Sequence, residues 1–343
     1  MKALGLGLAA GLSLVGWAQE VLPLPDVLRF ADGKAVTDAD GWTRRRVEVA
    51  NAILPVEYGH LPVTPAKVEV EPISRCFGVC WFRDAAYITY RVRTDMDGQP
   101  VSFLLHVWRL KTIPGGKCPV LLEGDGCWQY LREPVIDMAL KRGWMVAQFN
   151  RCEIARDDKS SVDSTLFKWA WTYHRAIDAL RQVEPCAGEI AITGHSRGGK
   201  TVLLAGATDA RIAAVGENCS GCCGAGCLRD VPEGSETIAI ITERFPYWFD
   251  PGWSSWAGRE KDLPFDQHFL EALIAPRKLF VRAAKGDIWA NPPGCRRIYE
   301  AARPVWQLLG AEKNVAYSLR EGGHDHSLSD FEAFLDFASD LKK

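Results

Sequence analysis

Glu189-Ile190-Ala191-Ile192-Thr193-Gly194-His195-Ser196-Arg197-Gly198-Gly199-Lys200-Thr201-Val202-Leu203-Leu204-Ala205-Gly206 is a short apolar run that enters a glycine-bracketed serine and leaves into residues that favour helix. That is the strand, sharp turn and helix expected of a nucleophile elbow, and Gly194-His195-Ser196-Arg197-Gly198 fits G-x-S-x-G without a mismatch. Glycines suit the two flanks because a strained strand-to-helix turn brings backbone close on both sides, where a Cβ would clash. Ser196 then sits at a helix N-terminus, near backbone N–H groups able to stabilise an oxyanion.

A serine hydroxyl becomes a nucleophile when a histidine takes its proton, and the histidine needs an acid to fix its tautomer. In this fold the chain order is nucleophile, acid, histidine. Asp287 follows the apolar run Lys278 to Ala284 through Lys285-Gly286, and His324 follows Val315 to Leu319 through Glu321-Gly322-Gly323. The glycine pair presents His324 at a tight turn ahead of His326, two residues on. Glu217, after the run Ile212 to Gly216, is the alternative acid. His60, His106, His174 and His268 read as structural residues, and His195 as packing below the nucleophile.

Outward from the elbow, strand-length apolar runs alternate with longer helical patterns from Cys118 onward, the signature of a mostly parallel sheet between helical layers. Strands are predicted at Pro119 to Glu123, Trp144 to Phe149, Glu189 to Thr193, Ile212 to Gly216, Lys278 to Ala284 and Val315 to Leu319. The helices between and after them are Val135 to Arg142, Leu166 to Val183, Arg197 to Ala207, Phe269 to Ile274, Arg296 to Leu309 and Ser329 to Leu341. Upstream, Trp42 to Leu54 has helical spacing ended by Pro55. Ala86 to Arg93 and Val101 to Leu110 form a hairpin about Asp95-Met96-Asp97-Gly98. The sum is an α/β-hydrolase-like three-layer sandwich with an eight-stranded sheet and the elbow on its fifth strand. Ser220 to Pro264 lacks a sheet element and is rich in aromatics, so it reads as a wall or lid over the site.

At 343 residues, 47% hydrophobic and 24% charged, the chain can bury a large core as a single catalytic domain over residues 19–343. A formal charge of −2, with Arg44-Arg45-Arg46 as the only basic run, gives no reason to expect a nucleic-acid partner. Lys2, the apolar stretch Ala3 to Trp17 and the small residues of Gly16-Trp17-Ala18 read as a signal peptide over residues 1–18, cleaved after Ala18. The expectation is a secreted or periplasmic monomer with no membrane span. Export makes the 11 cysteines candidates for disulfides, with at least one left over in a monomer. Cys219, Cys222, Cys223 and Cys227 lack the paired spacing of a zinc site and read as a mixture of disulfide and buried thiols.

From about Trp42 to the C-terminus the chain resembles the glucuronoyl esterases, carbohydrate esterase family 15. The strings that carry the resemblance are the elbow extended to Gly199-Lys200, Ser220-Gly221-Cys222 with Gly224, and Phe245-Pro246-Tyr247-Trp248-Phe249. Leu263-Pro264-Phe265-Asp266-Gln267-His268, Ala272-Leu273-Ile274-Ala275-Pro276-Arg277 and Asp287-Ile288-Trp289 complete the set. The resemblance implies cleavage of the ester between a glucuronic acid side group of xylan and an alcohol, typically of lignin, through an acyl-enzyme without metal or cofactor. It carries the nucleophile to Ser196, the histidine to His324, oxyanion stabilisation to Arg197, and substrate binding to Lys200, Glu236, Trp248 and Trp289. Two features depart from fungal members. Where many of those have Glu-Ser-Gly, this chain has Cys219-Ser220-Gly221, which favours Asp287 as the acid, as in bacterial members. The cysteines that fungal members place before the nucleophile and after the histidine are here His195 and Asp325. The strings fix the catalytic machinery better than the ester, leaving two competing functions: an esterase of the same family acting on acetyl or other carbohydrate esters, and an inactive glycan-binding protein on the same fold.

Overall fold

The computed structural model describes residues 22–78, 84–113, 115–128, 131–162 and 164–342; the leader read at residues 1–18 lies outside them. Helix α1 (Ala39–Ile53) is capped by the Asp38 carboxylate, which accepts from the Gly41 N–H at 2.7 Å. A π-helical turn over Leu54–Tyr58 carries the chain past Pro55. There follow strands β1 (Val68–Phe77), β2 (Ala85–Met96), β3 (Gln99–Leu110) and β4 (Cys118–Glu123), helix α2 (Glu133–Lys141), β5 (Met145–Phe149), α3 (Thr165–Val183), β6 (Ala187–His195), α4 (Arg197–Thr208) and β7 (Ile212–Asn218). The remainder is α5 (Ile238–Arg244), α6 (His268–Ala272), β8 (Lys278–Ala284), α7 (Pro292–Leu308), β9 (Val315–Arg320) and α8 (Leu328–Phe337).

All nine strands join one sheet in the order β1-β2-β3-β5-β4-β6-β7-β8-β9. From β5 to β9 every pairing is parallel, and β1, β2 and β3 add an antiparallel flank. This corrects the eight strands read from the sequence: β1 is the additional one, and the elbow follows the sixth strand rather than the fifth. At the β2–β3 hairpin Asp97 and Gly98 have φ of 52° and 82°, the positive pair that a two-residue type I′ turn demands.

Alternate residues of the central strands feed two cores, as a pleat of period two requires. Leu121, Ala191, Ala214 and Phe280 pack with Ile136 of α2 and Phe331, Phe334 and Leu335 of α8. Val120, Leu122, Ile190, Ile192, Val215 and Val281 lie in the larger core with α1, α3, α4, α6 and α7, and α3 is buried along most of its length. Helix, sheet and helix make the three layers. Ser220 to Pro264 contributes no strand; it holds α5 and three short 3₁₀ turns, with Phe249 and Trp253 fully buried.

Strand order reverses between neighbours β4 and β6, since β4 leads through α2 to β5 on one side and β6 through α4 to β7 on the other. A crevice at such a switch point opens at the carboxyl ends of the strands. Among the described residues no helix is long and apolar enough to cross a membrane. The ten described cysteines are all free thiols, which replaces the mixture of disulfide and thiol expected of the cluster. Their sulfurs are turned to other partners: Cys227 to the Asp266 carboxylate at 3.6 Å and Cys295 to the Ala290 carbonyl at 3.3 Å. Cys222 and Cys223, adjacent in sequence, lie 3.7 Å apart.

Candidate active site

Ser196 occupies the turn between β6 and α4 with φ 56° and ψ −119°, a backbone conformation that costs free energy and persists because its surroundings enforce it. The enforcement is visible. The Ser196 N–H donates to the Asn218 carbonyl at 2.8 Å, and the His195 N–H to Asp125 at 3.0 Å. A Cβ at Gly194 would run into the Gly198 carbonyl, and one at Gly198 into the Asp125 carboxylate. Asp125, in turn, is paired with Arg151, whose buried guanidinium lies 4.7 Å from the Trp169 ring.

His324, beyond the end of β9, places Nδ1 2.7 Å from Asp287 Oδ2 beyond the end of β8. Burial pushes the Asp287 carboxyl up, but the hydrogen bond and charge of His324 and a hydrogen bond from the Cys219 thiol outweigh it and hold the group below the ordinary range. Glu217 is differently placed. It is buried on β7, accepts the Ser220 N–H at 3.2 Å, and burial pushes its carboxyl up to about 7. No hydrogen bond joins it to His324. His195 lies beside His324 with ring centroids 4.4 Å apart, and its Nδ1 is 2.9 Å from Asn218 Oδ1. Burial, followed by the neighbouring His324, pushes His195 down to about 4. His326 stacks on Phe331 at 3.9 Å, and burial pushes it down to about 3.

Ser196, His324, Arg197, Lys200, Glu236, Trp248 and Trp289 all line one cavity of about 390 Å³. Lys200, four residues and one helical turn after Ser196, is buried; its ammonium donates to the Ser220 carbonyl and lies 3.7 Å from Glu236. The Glu236 N–H donates to the Trp289 carbonyl at 3.0 Å, so the segment before α5 and the loop after β8 are held together at the cavity wall. Trp289 is 38% exposed, with the Arg244 guanidinium 5.0 Å from its ring. Trp248 is buried and gives its indole N–H to Asp157 at 2.9 Å, which leaves only ring surface for a ligand. Cys219, Asp287 and His324 are the one set of potential metal ligands among the described residues, with donor atoms within 4.8 Å of one another. A metal ion there would have to displace the His324–Asp287 hydrogen bond.

Sequence reasoning passed over Asp125, Arg151 and Asp157. The first two follow the ends of β4 and β5, so their position at the carboxyl edge of the sheet is a usable signal. Asp157 carries none, because its partners lie 40 to 91 residues away.

A sequence model described as "Glucuronyl esterase, fungi" matches residues 135–310. A carbohydrate esterase from an unknown prokaryotic organism is 28% identical over 395 residues, covering 92% of this chain and 88% of the relative. A 4-O-methyl-glucuronoyl methylesterase of Podospora anserina is 27% identical over 329 residues, covering 88% of this chain and 63% of that longer protein. The solved structure of a glucuronoyl esterase from Solibacter usitatus superposes with a TM-score of 0.84 at 26% identity, over 94% of this chain and 99% of the other.

Proposed function

Because the chain belongs to the glucuronoyl esterases of carbohydrate esterase family 15, we propose that it cleaves esters of the glucuronic acid side groups of xylan, including those to lignin alcohols, through an acyl-enzyme on Ser196. The observation that carries this reading is the shared cavity, which sets Ser196, Arg197 and the Asp287-oriented His324 beside Lys200, Glu236 and Trp289. With Nδ1 committed to Asp287, His324 keeps Nε2 to take the Ser196 proton and later return it to the leaving alcohol. Arg197, whose backbone N–H lies in the first turn of α4 and whose guanidinium has several donors, faces the charge that develops on the carbonyl oxygen. Lys200 and Glu236 offer opposite hydrogen-bonding characters to ring hydroxyls, and the exposed face of Trp289 suits the C–H face of a sugar. Asp287 is the acid and Glu217 a buried support for the Ser220 loop. The leader at residues 1–18 would deliver the protein, as a monomer, to the secreted or periplasmic space where such polymers are met.

The direct test compares benzyl glucuronate with benzyl acetate, which share the leaving alcohol. The reading predicts a kcat/KM for the glucuronate at least about 100-fold higher, the worth of one or two charge-assisted hydrogen bonds in the transition state. Equal values would favour a general carbohydrate esterase, and turnover of neither would favour a glycan-binding protein.

A further inference from the structure

We infer that Asp157 is the positioning residue that sets the Arg197 guanidinium for the oxyanion, an inference that rests on the esterase reading above. Asp157 lies in the loop after β5, outside the lining of the cavity, so it does not reach the substrate. Its carboxylate nevertheless collects three donors. Oδ2 is 2.5 Å from Arg197 Nη1, while Oδ1 accepts from the Trp248 indole N–H at 2.9 Å and the Tyr247 hydroxyl at 3.1 Å. One side chain thereby ties the β5 loop, the first turn of α4 and the aromatic string after α5. This also accounts for much of Phe245-Pro246-Tyr247-Trp248-Phe249: its two polar tips, on Tyr247 and Trp248, are turned to Asp157, and the rings of Phe245 and Trp248 lie against Arg197.

The guanidinium carbon lies 5.0 Å from the centroids of both Phe245 and Trp248 and 5.6 Å from that of Trp128. Aromatic faces attract a cation but leave it free to rotate and slide, whereas a carboxylate fixes one nitrogen at one point. The side chains of Arg197 and Asp157 are 25% and 17% exposed, so the pair is sheltered from the screening that makes surface ion pairs weak. With one nitrogen held by Asp157, the remaining donors of the planar fork keep a fixed aim into the cavity. That is the preorganisation on which stabilisation of a developing oxyanion depends.

The test is a double-mutant cycle on benzyl glucuronate with kcat and KM measured separately for wild type, Asp157→Asn, Arg197→Ala and the double variant. Asparagine keeps the shape and removes the charge. Asp157→Asn should lower kcat roughly 10- to 100-fold, the range for a charge-assisted hydrogen bond, with KM little changed. The double variant should be no slower than Arg197→Ala alone, since Asp157 acts only through that arginine. Tyr247→Phe, which removes one donor to Asp157 and little volume, gives a second reading that does not depend on the folding of Asp157→Asn; its kcat should fall several-fold. Wild-type kcat in Asp157→Asn or Tyr247→Phe beside a slow Arg197→Ala would overturn the positioning role and leave the esterase reading intact. Multiplicative losses in the double variant would overturn it too, because Asp157 would then act independently of Arg197. A fully active Arg197→Ala would remove the oxyanion role itself, and the inference with it.

Discussion

His324 and Asp287 meet at 2.7 Å with the carboxyl held below its ordinary range, while Glu217, the other candidate, is buried behind the Ser220 loop with its carboxyl pushed up to about 7. A group that favours its charged form beside the imidazole can stabilise an imidazolium; a group that favours its neutral form, with no bond to the histidine, cannot. Asp287→Asn should therefore lower kcat by about 10⁴-fold, the size of effect seen when a triad aspartate is neutralised. Glu217→Gln should cost far less. Rate measurements on the two variants decide between them, and the reverse ranking would move the acid to β7. Both carboxylates were legible as candidates because each follows an apolar run in the sequence, but Glu217 lies within β7, and which of the two stands against the histidine is visible only in the side-chain geometry. Trp248 shows the same limit: the sequence marks it as an aromatic near the site, and only the structure shows its indole N–H committed to Asp157.

At the scale of elements, the parallel strands were legible because each is an apolar run closed by glycine or polar turn residues. Two elements were not. Strand β1 (Val68–Phe77) is exposed along most of its length, so no alternation of apolar and polar residues persists beyond Val68 and Val70. Pro72, at the register shift of its pairing with β2, breaks the run where a reader would look for continuation. This is what an edge strand looks like: one flank has no partner, and neither pressure for an apolar face nor for unbroken hydrogen bonding acts on it. Helix α5 (Ile238–Arg244) has seven residues, too few to display a helical period, and is marked chiefly by the Thr237 side chain that accepts from the Ile240 N–H at 3.3 Å.

Buried ionisable groups give the whole molecule a definite dependence on pH. Burial pushes the carboxyls of Glu57, Glu123 and Glu217 up to about 7, 8 and 7, and pushes the imidazoles of His174, His195, His268 and His326 down to about 4, 4, 4 and 3. A raised carboxyl keeps its proton in the folded state while the unfolded chain releases it above pH ~4.3, so these three groups make stability fall as pH climbs toward 8. A lowered imidazole acts in the other direction: the unfolded chain takes up a proton below pH ~6.5, so stability falls as pH drops from there toward 4. The two sets oppose each other below pH ~6.5, and above it only the carboxyls remain. The thermal midpoint should accordingly decline between pH ~6.5 and ~8.5, and Glu217→Gln, a permanently neutral side chain, should reduce the decline. A midpoint that stays level or rises over that interval would contradict the assignment of neutral carboxyls to the core. The central claim, that a strained turn presents Ser196 as the acyl-carrying nucleophile of a glucuronate esterase, is tested most directly by the turnover of benzyl glucuronate in Ser196→Ala. Only a hydroxyl at the cavity wall is lost, so the variant should fold with an unchanged thermal midpoint and turn over at least ~10⁴-fold more slowly; a folded variant within about tenfold of the wild-type rate, a change of only ~1.4 kcal/mol, would contradict it.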